Sequence, residues 1–210
     1  MKPEEVLQII GEHKIVAIVR ALNAQEAWES AEAVIEGGLR VVEVSLTTPG
    51  ATETIEKLAS SSAGVIGAGT VLTVPQVQQV VDAGAQFIVT PNLNPEVVAA
   101  ALTAGLLVGP GVFTATESYR ALELGAQLLK LFPASSAGIP AMKSLSDPFP
   151  QAKWLPTGGI TTENFTDWLS AGAFAVGMGS ALTRGEPEQV WARAKTMHTA
   201  VGKIPSIDKD

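Results

Sequence analysis

A lysine inside a short apolar segment is the residue of this chain best suited to do chemistry. Lys130 lies within Leu128–Pro133, between leucines on both sides. Burial of an ammonium group is costly in free energy, so burial favours the neutral amine, which can attack a ketone to form an imine. The alternative is a lysine whose apolar stem lies along a strand while its ammonium reaches water. This segment alone does not decide between the two interpretations.

Two further charged residues lie in segments of the same kind. Glu43 stands within the branched run Val41–Ser45, and Arg20 closes the run Ile15–Arg20. One interpretation is a structural ion pair, but buried ion pairs contribute little net stability, which favours function. Together the three residue types form a coherent site. The amine can form a Schiff base, the carboxylate can transfer protons, and the guanidinium can hold a substrate carboxylate with two hydrogen bonds.

The elements that must position these residues repeat along the chain. Five times an Ala-rich segment with helical spacing ends in glycine and is followed at once by a short branched run, which is typical of a buried strand. The repeat recurs about every 20–25 residues, which indicates βα units. The predicted strands are Ile15–Arg20, Arg40–Ser45, Val65–Gly67, Gln86–Thr90, Leu106–Val108, Leu128–Phe132, Lys153–Pro156 and Phe174–Gly177.

Strands alternating with helices in this number predict an α/β fold, the (β/α)8 TIM barrel, as a single domain over residues 1–210. A helix near Pro3–Gly11 is expected to cover the bottom of the barrel. A doubly wound open sheet is the competing fold, and it is disfavoured because no Gly-x-Gly-x-x-Gly motif follows the first strand. In a barrel the C-terminal ends of the strands meet at one face, so Lys130, Glu43 and Arg20 are expected to lie together there.

Further binding residues are predicted at and after the strand ends. Thr70 ends the turn Gly67–Thr70 and can offer a hydroxyl, Pro91 is expected to border the pocket, and alternation places Phe132 on the same face as Lys130. Glycine-rich loops follow the last two strands, where barrel enzymes often bind phosphate through backbone N–H groups. These loops contribute Gly158, Gly159, Gly179 and Ser180. The plainer interpretation of each loop is a tight turn.

Composition and charge exclude several classes of function. The net charge of −7 disfavours a nucleic-acid or anionic-membrane surface, and the absence of cysteine excludes disulfides and thiolate nucleophiles. No stretch of about 18 uninterrupted apolar residues predicts a membrane span, and the acidic N-terminus is no signal peptide, so we expect a cytoplasmic protein. His13 and His198 lie away from the strand ends and are expected on the surface. No carboxylate cluster has ligand spacing, so no metal site is predicted.

Four motifs of the sequence, taken in order, resemble one enzyme family. They are Val42–Thr47, Gly67–Leu72, Lys130–Ala134 and Pro156–Ile160. In this order they are similar to the main motifs of the class I aldolases that act on 2-keto-3-deoxy-6-phosphogluconate, and the resemblance runs from about Ile15 to Ser180. The Gly-Ala-Gly-Thr motif alone is weak, whereas the ordered set is specific.

The resemblance implies a lyase with a (β/α)8 barrel, usually a homotrimer, that needs no cofactor. It implies cleavage of the phosphorylated keto acid to pyruvate and D-glyceraldehyde 3-phosphate, in the Entner–Doudoroff pathway. By the same resemblance Lys130 matches the Schiff-base lysine, Glu43 the proton-transferring glutamate and Thr70 a substrate-binding threonine. The loops at Gly158, Gly159 and Ser180 match the phosphate site.

One departure from the family pattern leaves the substrate open. Many members have Leu-Arg-Thr where this chain has Leu46-Thr47-Thr48, and the segment Ala17–Arg20 resembles the related 2-keto-3-deoxy-6-phosphogalactonate aldolases instead. Arg20 is therefore a candidate for the substrate-binding cation. The phosphogalactonate substrate and unphosphorylated 4-hydroxy-2-oxoglutarate are alternative substrates. A phosphate-sugar isomerase or epimerase barrel and a non-catalytic phosphometabolite-binding barrel are the alternatives from other classes.

Overall fold

The computed structural model describes residues 1–61 and 64–203, and in that part of the chain strands alternate with helices. The described strands are β1 (Ile15–Val19), β2 (Val41–Ser45), β3 (Val65–Gly69), β4 (Phe87–Val89), β5 (Leu107–Gly109), β6 (Gly111–Val112), β7 (Leu128–Leu131), β8 (Lys153–Trp154) and β9 (Val176–Met178). The helices are α1 (Pro3–His13), α2 (Ala24–Glu36), α3 (Ala51–Ser61), α4 (Val74–Asp82), α5 (Pro95–Thr103), α6 (Ala115–Glu123), α7 (Ala134–Ser146), α8 (Phe165–Ser170), α9 (Ser180–Thr183) and α10 (Pro187–Val201).

All the strand pairs are parallel, and they form a curled sheet in two parts. Six strands follow the order β5-β4-β3-β2-β1-β9, and three follow the order β6-β7-β8. The two parts approach each other at both edges. At one edge β5 continues through Pro110 into β6, and at the other Thr157 forms a parallel bridge with Gly177. Parallel strands joined by helices confirm the predicted α/β class.

The fifth predicted strand is longer in the structure and is divided into two segments. It was expected as Leu106–Val108, whereas the chain is extended over β5 and β6 with Pro110 between them. Proline has no N–H and interrupts a ladder, although its carbonyl can still accept a hydrogen bond. Here Pro110 O accepts from the Lys130 N–H at 2.9 Å. This short contact joins the two segments to the strand that carries the lysine.

Local sequence signals explain where the helices begin and end. Thr73 caps α4 and Thr114 caps α6, each in a reciprocal capping box with the residue three positions on, Gln76 and Glu117. The glycine predicted to end each of five helices lies in a left-handed conformation, with φ between 75° and 101°: Gly38, Gly84, Gly105, Gly125 and Gly172. The helix–glycine–strand repeat expected from the sequence is therefore confirmed.

Two apolar clusters lie on the two faces of the sheet. The larger cluster joins outward strand residues such as Val42 and Val44 to the buried sides of the helices. The smaller cluster lies on the inner face and contains the side chains of Val16, Val41 and Phe87 near the beginnings of their strands. Helix α1 adds three residues to this inner cluster: Val6, Leu7 and Ile10. The inner space near the beginnings of the strands is thus filled with apolar side chains.

Candidate active site

The ten residues that the sequence predicts for the site all line one cavity of about 960 Å³. Many of its lining residues come from the C-terminal ends of the strands and the loops that follow them, and others come from helices such as α2. The ten are Arg20, Glu43, Thr70, Pro91, Lys130, Phe132, Gly158, Gly159, Gly179 and Ser180. The structure therefore brings the predicted residues together, whereas their chemical roles stay predictions.

Lys130 is a buried residue of β7, with only 5% of its surface exposed. Its neighbours along the chain, Leu129 and Leu131, are fully buried. Burial lowers the pKa of the Lys130 ammonium; the nearby Glu43 carboxylate acts in the opposite direction, and Arg20 lowers the pKa further. The ammonium nitrogen lies 4.8 Å from the centre of the Phe132 ring. A lysine whose stem lies along the strand while its ammonium reaches water does not fit this burial.

Glu43, on β2, has 1% of its surface exposed. Burial raises the pKa of its carboxyl, and the positive charges of Lys130 and Arg20 partly oppose that rise. The Oε2 atom is buried and has no hydrogen-bond partner among the described residues. Buried polar atoms are normally paired, so an unpaired carboxyl oxygen on a residue that lines a cavity is more consistent with a group that acts on a ligand than with a structural ion pair.

Glycine at position 69 makes room for this carboxylate. A Cβ atom there would overlap Glu43 Oε1 and would lie 2.6 Å from Glu43 Cδ. Gly69 is paired with Ser45 in the ladder between β2 and β3. The glycine of the Gly-Ala-Gly-Thr motif is thus required by the neighbouring strand's side chain, and the tight turn is only part of its role.

Arg20 lies one residue beyond the end of β1, so the prediction that it closes the strand was wrong by one position. Its side chain is exposed and lines the cavity, and its charge acts on both Glu43 and Lys130. An exposed guanidinium beside a pocket with two buried ionisable groups is well placed to meet an anion that enters from solvent.

Thr70 has a φ of 61°, in the left-handed region, which is rare for a β-branched residue. Its N–H donates to Val89 O at 2.9 Å, which holds the strained backbone at the C-terminal end of β3. Its hydroxyl lies 3.1 Å from the Ser45 hydroxyl. Strain of this kind collects at binding and catalytic sites, so the conformation supports a functional position for Thr70.

The glycine-rich loops form another part of the cavity wall. Gly158 and Gly159 have φ values of 91° and 82°, which other residue types rarely adopt. A Cβ at Gly159 would lie 2.5 Å from Ser135 Cβ, whereas a Cβ at Gly179 would meet nothing within 4 Å. The backbone at Gly179 therefore faces open space, as a ligand approaching the backbone would require, and Ser180 begins the next helix beside it.

Sequence reasoning missed part of the cavity lining. Glu26, Glu29, Arg184 and Glu186 also line the cavity. In the sequence they resemble the solvated charges of ordinary helices and loops, so no signal distinguished them. Ser45 does not line the cavity but lies behind the lining residue Thr70, and it was also not predicted, because a serine inside a strand carries no chemical signal until its hydroxyl contacts are known.

Residues 1–61 and 64–203 lack two features that other protein classes need. That part of the chain contains no group of three or more His, Cys, Asp or Glu residues placed to hold a metal ion. It also contains no helix long and apolar enough to cross a membrane. His198 is exposed as expected, but His13 is half-buried and its ring lies 6.4 Å from that of His198. The expectation that both histidines are surface residues is therefore confirmed for His198 and only in part for His13.

Comparison with known proteins identifies the family. The family model for KDPG and KHG aldolase matches residues 6–196. The chain belongs to the KDPG and KHG aldolase family. The resemblance proposed from four motifs is thereby confirmed, and the protein is an aldolase, a lyase.

Individual members of the aldolase family carry different substrate names. The chain is 40% identical over 173 residues to 2-dehydro-3-deoxy-6-phosphogalactonate aldolase of Escherichia coli, covering 81% of this chain and 84% of that one. It is 37% identical over 205 residues to 2-dehydro-3-deoxy-phosphogluconate aldolase of Treponema pallidum, covering 94% and 98%. It also superposes with a TM-score of 0.83 and 33% identity on KDPG aldolase from Legionella pneumophila, a structure in which pyruvate was captured as a covalent carbinolamine intermediate, over 93% of this chain and 97% of that one.

Proposed function

We propose that this aldolase cleaves 2-keto-3-deoxy-6-phosphogluconate to pyruvate and D-glyceraldehyde 3-phosphate through an imine on Lys130. One observation carries the proposal: a buried lysine with a lowered pKa shares a cavity with a buried glutamate whose pKa is raised. Environments that move the pKa values of two groups away from their ordinary values are typical of a nucleophile and its proton-transfer partner.

The architecture belongs to the same proposal. The two parts of the sheet form one closed (β/α)8 barrel in a single domain over residues 1–210, with α1 covering its bottom. The bridge between Thr157 and Gly177 and the passage of β5 into β6 through Pro110 support closure. The apolar contacts of Val6 and Ile10 with the inner cluster support the position of α1.

Formation of the imine is the first stage of the mechanism. Neutral Lys130 Nζ attacks the C2 ketone of the substrate and forms a carbinolamine. Glu43 donates a proton to the C2 oxygen, which leaves as water, and the product is a protonated imine. The raised pKa of Glu43 favours the protonated form that this step requires, and the lowered pKa of Lys130 favours the neutral amine.

Cleavage follows from the electron demand of the protonated imine. Glu43, now a carboxylate, takes the proton of the C4 hydroxyl. The C3–C4 bond breaks, its electron pair passes to C3 and the imine nitrogen, and the aldehyde product leaves. Glu43 returns the proton to C3 of the enamine, and water hydrolyses the resulting imine to free pyruvate and Lys130. No cofactor is used, because the imine itself accepts the electrons.

The remaining cavity residues bind the ends of the substrate. The loops at Gly158, Gly159, Gly179 and Ser180 hold the phosphate through backbone N–H groups and a hydroxyl. Arg20 and Thr70 hold the carboxylate end, while Pro91 and Phe132 border the reacting carbons. The open space at Gly179 and the position of Arg20 at the cavity mouth support this orientation.

The phosphogalactonate substrate is the second candidate, and a sequence feature favours it. The segment Ala17–Arg20 resembles the phosphogalactonate aldolases, and the Escherichia coli relative of 40% identity is named for the phosphogalactonate. Unphosphorylated 4-hydroxy-2-oxoglutarate is a further substrate. A coupled pyruvate-release assay with all three keto acids ranks them by kcat/KM.

The proposed enzyme is a homotrimer in the cytoplasm. Its substrate is a phosphorylated keto acid of the Entner–Doudoroff pathway. Three exposed apolar residues, Leu72, Val74 and Phe113, lie in or just after loops at the C-terminal side of the sheet. Exposed apolar side chains are common on surfaces that bind another protein, here a second copy. Light scattering should give three times the monomer mass, and Phe113→Glu should lower it.

Borohydride trapping tests the mechanism. Reduction in the presence of pyruvate should leave a stable pyruvate adduct on the peptide that contains Lys130, while peptides containing Lys14 and Lys153 stay unmodified. Lys130→Met should give no adduct. An isomerase, an epimerase or a binding protein would not require a reactive lysine, so a wild-type protein that turns over substrate without this adduct would disprove the imine mechanism.

A further inference from the structure

Three hydroxyl groups form a connected chain at the ends of β2 and β3. The Ser45 Oγ atom lies 2.9 Å from Thr47 Oγ1 and 3.1 Å from Thr70 Oγ1. Ser45 is fully buried, Thr47 is exposed and Thr70 lines the cavity. The chain therefore runs from solvent through a buried serine to the wall of the site.

Alternation along β2 explains why the serine is there. Val41, Glu43 and Ser45 project from the same face of the strand, with Val41 in the inner apolar cluster and Glu43 in the cavity. Ser45 is paired in the ladder with Gly69, and Thr70 follows directly. The hydroxyl chain thus begins two residues after Glu43, at the C-terminal end of β2.

The number of hydrogens limits how this chain can be arranged. Each hydroxyl has one hydrogen to donate, so Ser45 can donate to Thr47 or to Thr70 but not to both. If both threonines donate to Ser45, the serine hydrogen is left buried, and a buried unpaired donor is costly. If Ser45 donates to Thr47, the free hydrogen is on Thr47 in solvent. If Thr47 donates to Ser45 and Ser45 to Thr70, the free hydrogen is on Thr70.

We propose that Ser45 is a positioning residue that turns the Thr70 hydroxyl hydrogen toward a carboxylate oxygen of the keto acid. This inference rests on the proposed function, because it takes Thr70 as a contact of the substrate's carboxylate end. A negatively charged oxygen beside Thr70 selects the arrangement in which every hydrogen points inward, and hydrogen bonds that run in one direction strengthen one another. The φ of 61° fixes the Thr70 backbone, so Ser45 directs only the hydroxyl.

The chain of three hydroxyl groups would bind the anionic carboxylate without carrying a charge itself. Thr47 supplies the outer hydroxyl, which lies 2.9 Å from Ser45 Oγ. Buried hydroxyls that donate to a charged acceptor form bonds stronger than neutral pairs. The hydroxyl chain therefore contributes to carboxylate binding beside Arg20 without adding a second guanidinium.

Pyruvate is the probe that isolates this contact, because it has the carboxylate and the ketone but no phosphate. In Ser45→Ala the concentration of pyruvate that gives half-maximal borohydride adduct on Lys130 should rise about tenfold, as expected for loss of a hydrogen bond to a charged group. With the phosphorylated keto acid, KM should rise by a similar factor while kcat changes less than about twofold. Ser45→Thr keeps the hydroxyl and should restore most of the affinity.

Inorganic phosphate provides the matched control, since its inhibition constant reports the opposite end of the cavity. That constant should be the same in wild type and Ser45→Ala. An unchanged half-maximal pyruvate concentration, or an equal weakening of phosphate inhibition, would overturn the role of Ser45. Should Ser45→Ala not fold, Thr47→Val alters the same chain at an exposed position and should weaken pyruvate about threefold; no change there would equally overturn it. A wild type without any Lys130 adduct would instead remove the proposed function itself.

Discussion

Residues two positions apart on the same strand face the same interior but have different neighbours. In β2, Val41 near the beginning packs in the inner apolar cluster, whereas Glu43 lines the cavity. In β7, Leu128 belongs to the same apolar cluster and Lys130 lines the cavity. A shift of two residues along one strand thus changes the surroundings from packed hydrocarbon to a site with buried ionisable groups.

This difference separates stability from chemistry within single strands. Burial of apolar surface stabilises the fold by about 25 cal/mol per Å². Burial of a lysine or glutamate without a close partner has the opposite effect. The inner cluster beside α1 therefore stabilises a structure whose opposite end holds ionisable groups that are destabilising because they are buried.

Replacement of the lysine should produce the largest effect and leave the apolar end untouched. Lys130→Met should lower kcat for keto-acid cleavage about 10⁴-fold or more, because the nucleophile is gone. The free energy of unfolding should be unchanged or higher, since methionine buries a similar volume without a charge. Urea unfolding and pyruvate release measure the two quantities. A loss of stability comparable to that of a core truncation would show that Lys130 is a structural residue.

Truncation in the inner cluster should give the reverse result. Phe87 is fully buried, and its ring fills the space left by the missing side chain of Gly67. Phe87→Ala should lower the free energy of unfolding by about 3–5 kcal/mol, while the folded fraction keeps its kcat. The exposed aromatic residue Tyr119 is the control, and Tyr119→Ala should change stability by less than about 0.5 kcal/mol. Equal losses in the two variants would contradict the assignment of stability to the inner cluster.

A methyl group at position 69 should lower activity by displacing the carboxylate of Glu43 on the neighbouring strand. In Gly69→Ala the new Cβ displaces the Glu43 carboxylate, so kcat should fall about 10²-fold, as for loss of general acid–base catalysis. Glu43→Gln should cause a loss of the same order. If Gly69 acts through Glu43, the double variant should lose little beyond either single variant. Multiplicative losses would mean that Gly69 has an independent role.

The pH dependence of stability should give the smallest effect. Because burial raises the pKa of Glu43, the folded protein keeps this proton to higher pH than the unfolded chain. Its contribution to stability is complete below the ordinary carboxyl pKa and is lost as pH rises through the raised pKa of the folded state. Relative to Glu43→Gln, wild type should therefore lose about 1.4 kcal/mol for each unit by which the pKa is raised. The free energies of unfolding of wild type and Glu43→Gln are measured by urea unfolding at each pH. A difference between them that does not change with pH would contradict the burial of the charge.

The sequence was sufficient to predict the buried charged residues of the cavity because their charge and their apolar surroundings are both visible in it. A lysine among leucines and a glutamate among valines can be recognised without coordinates, and the glycine junctions locate the strands that carry them. All ten predicted site residues line the same cavity for this reason. The end of β1 before Arg20 and the break at Pro110 differ by only one or a few residues from the prediction, because boundaries depend on hydrogen bonds that the pattern does not contain.

Contacts between strands could not be predicted in the same way. The overlap between a Cβ at Gly69 and Glu43 depends on the pairing of β2 with β3. The contacts of Ser45 with Thr47 and Thr70 depend on that pairing and on the left-handed φ of Thr70. Side chains that do no chemistry alone acquire a role only when the register brings them beside those that do.

The position of helix α1 has a practical consequence for immobilising the enzyme. The helix packs against the inner cluster at the beginnings of the strands, while the cavity opens at their other ends. Met1, just before the helix, has 61% of its surface exposed. An affinity tag or a surface linkage at Met1 should therefore orient the protein on a solid support with the substrate entrance directed away from the support.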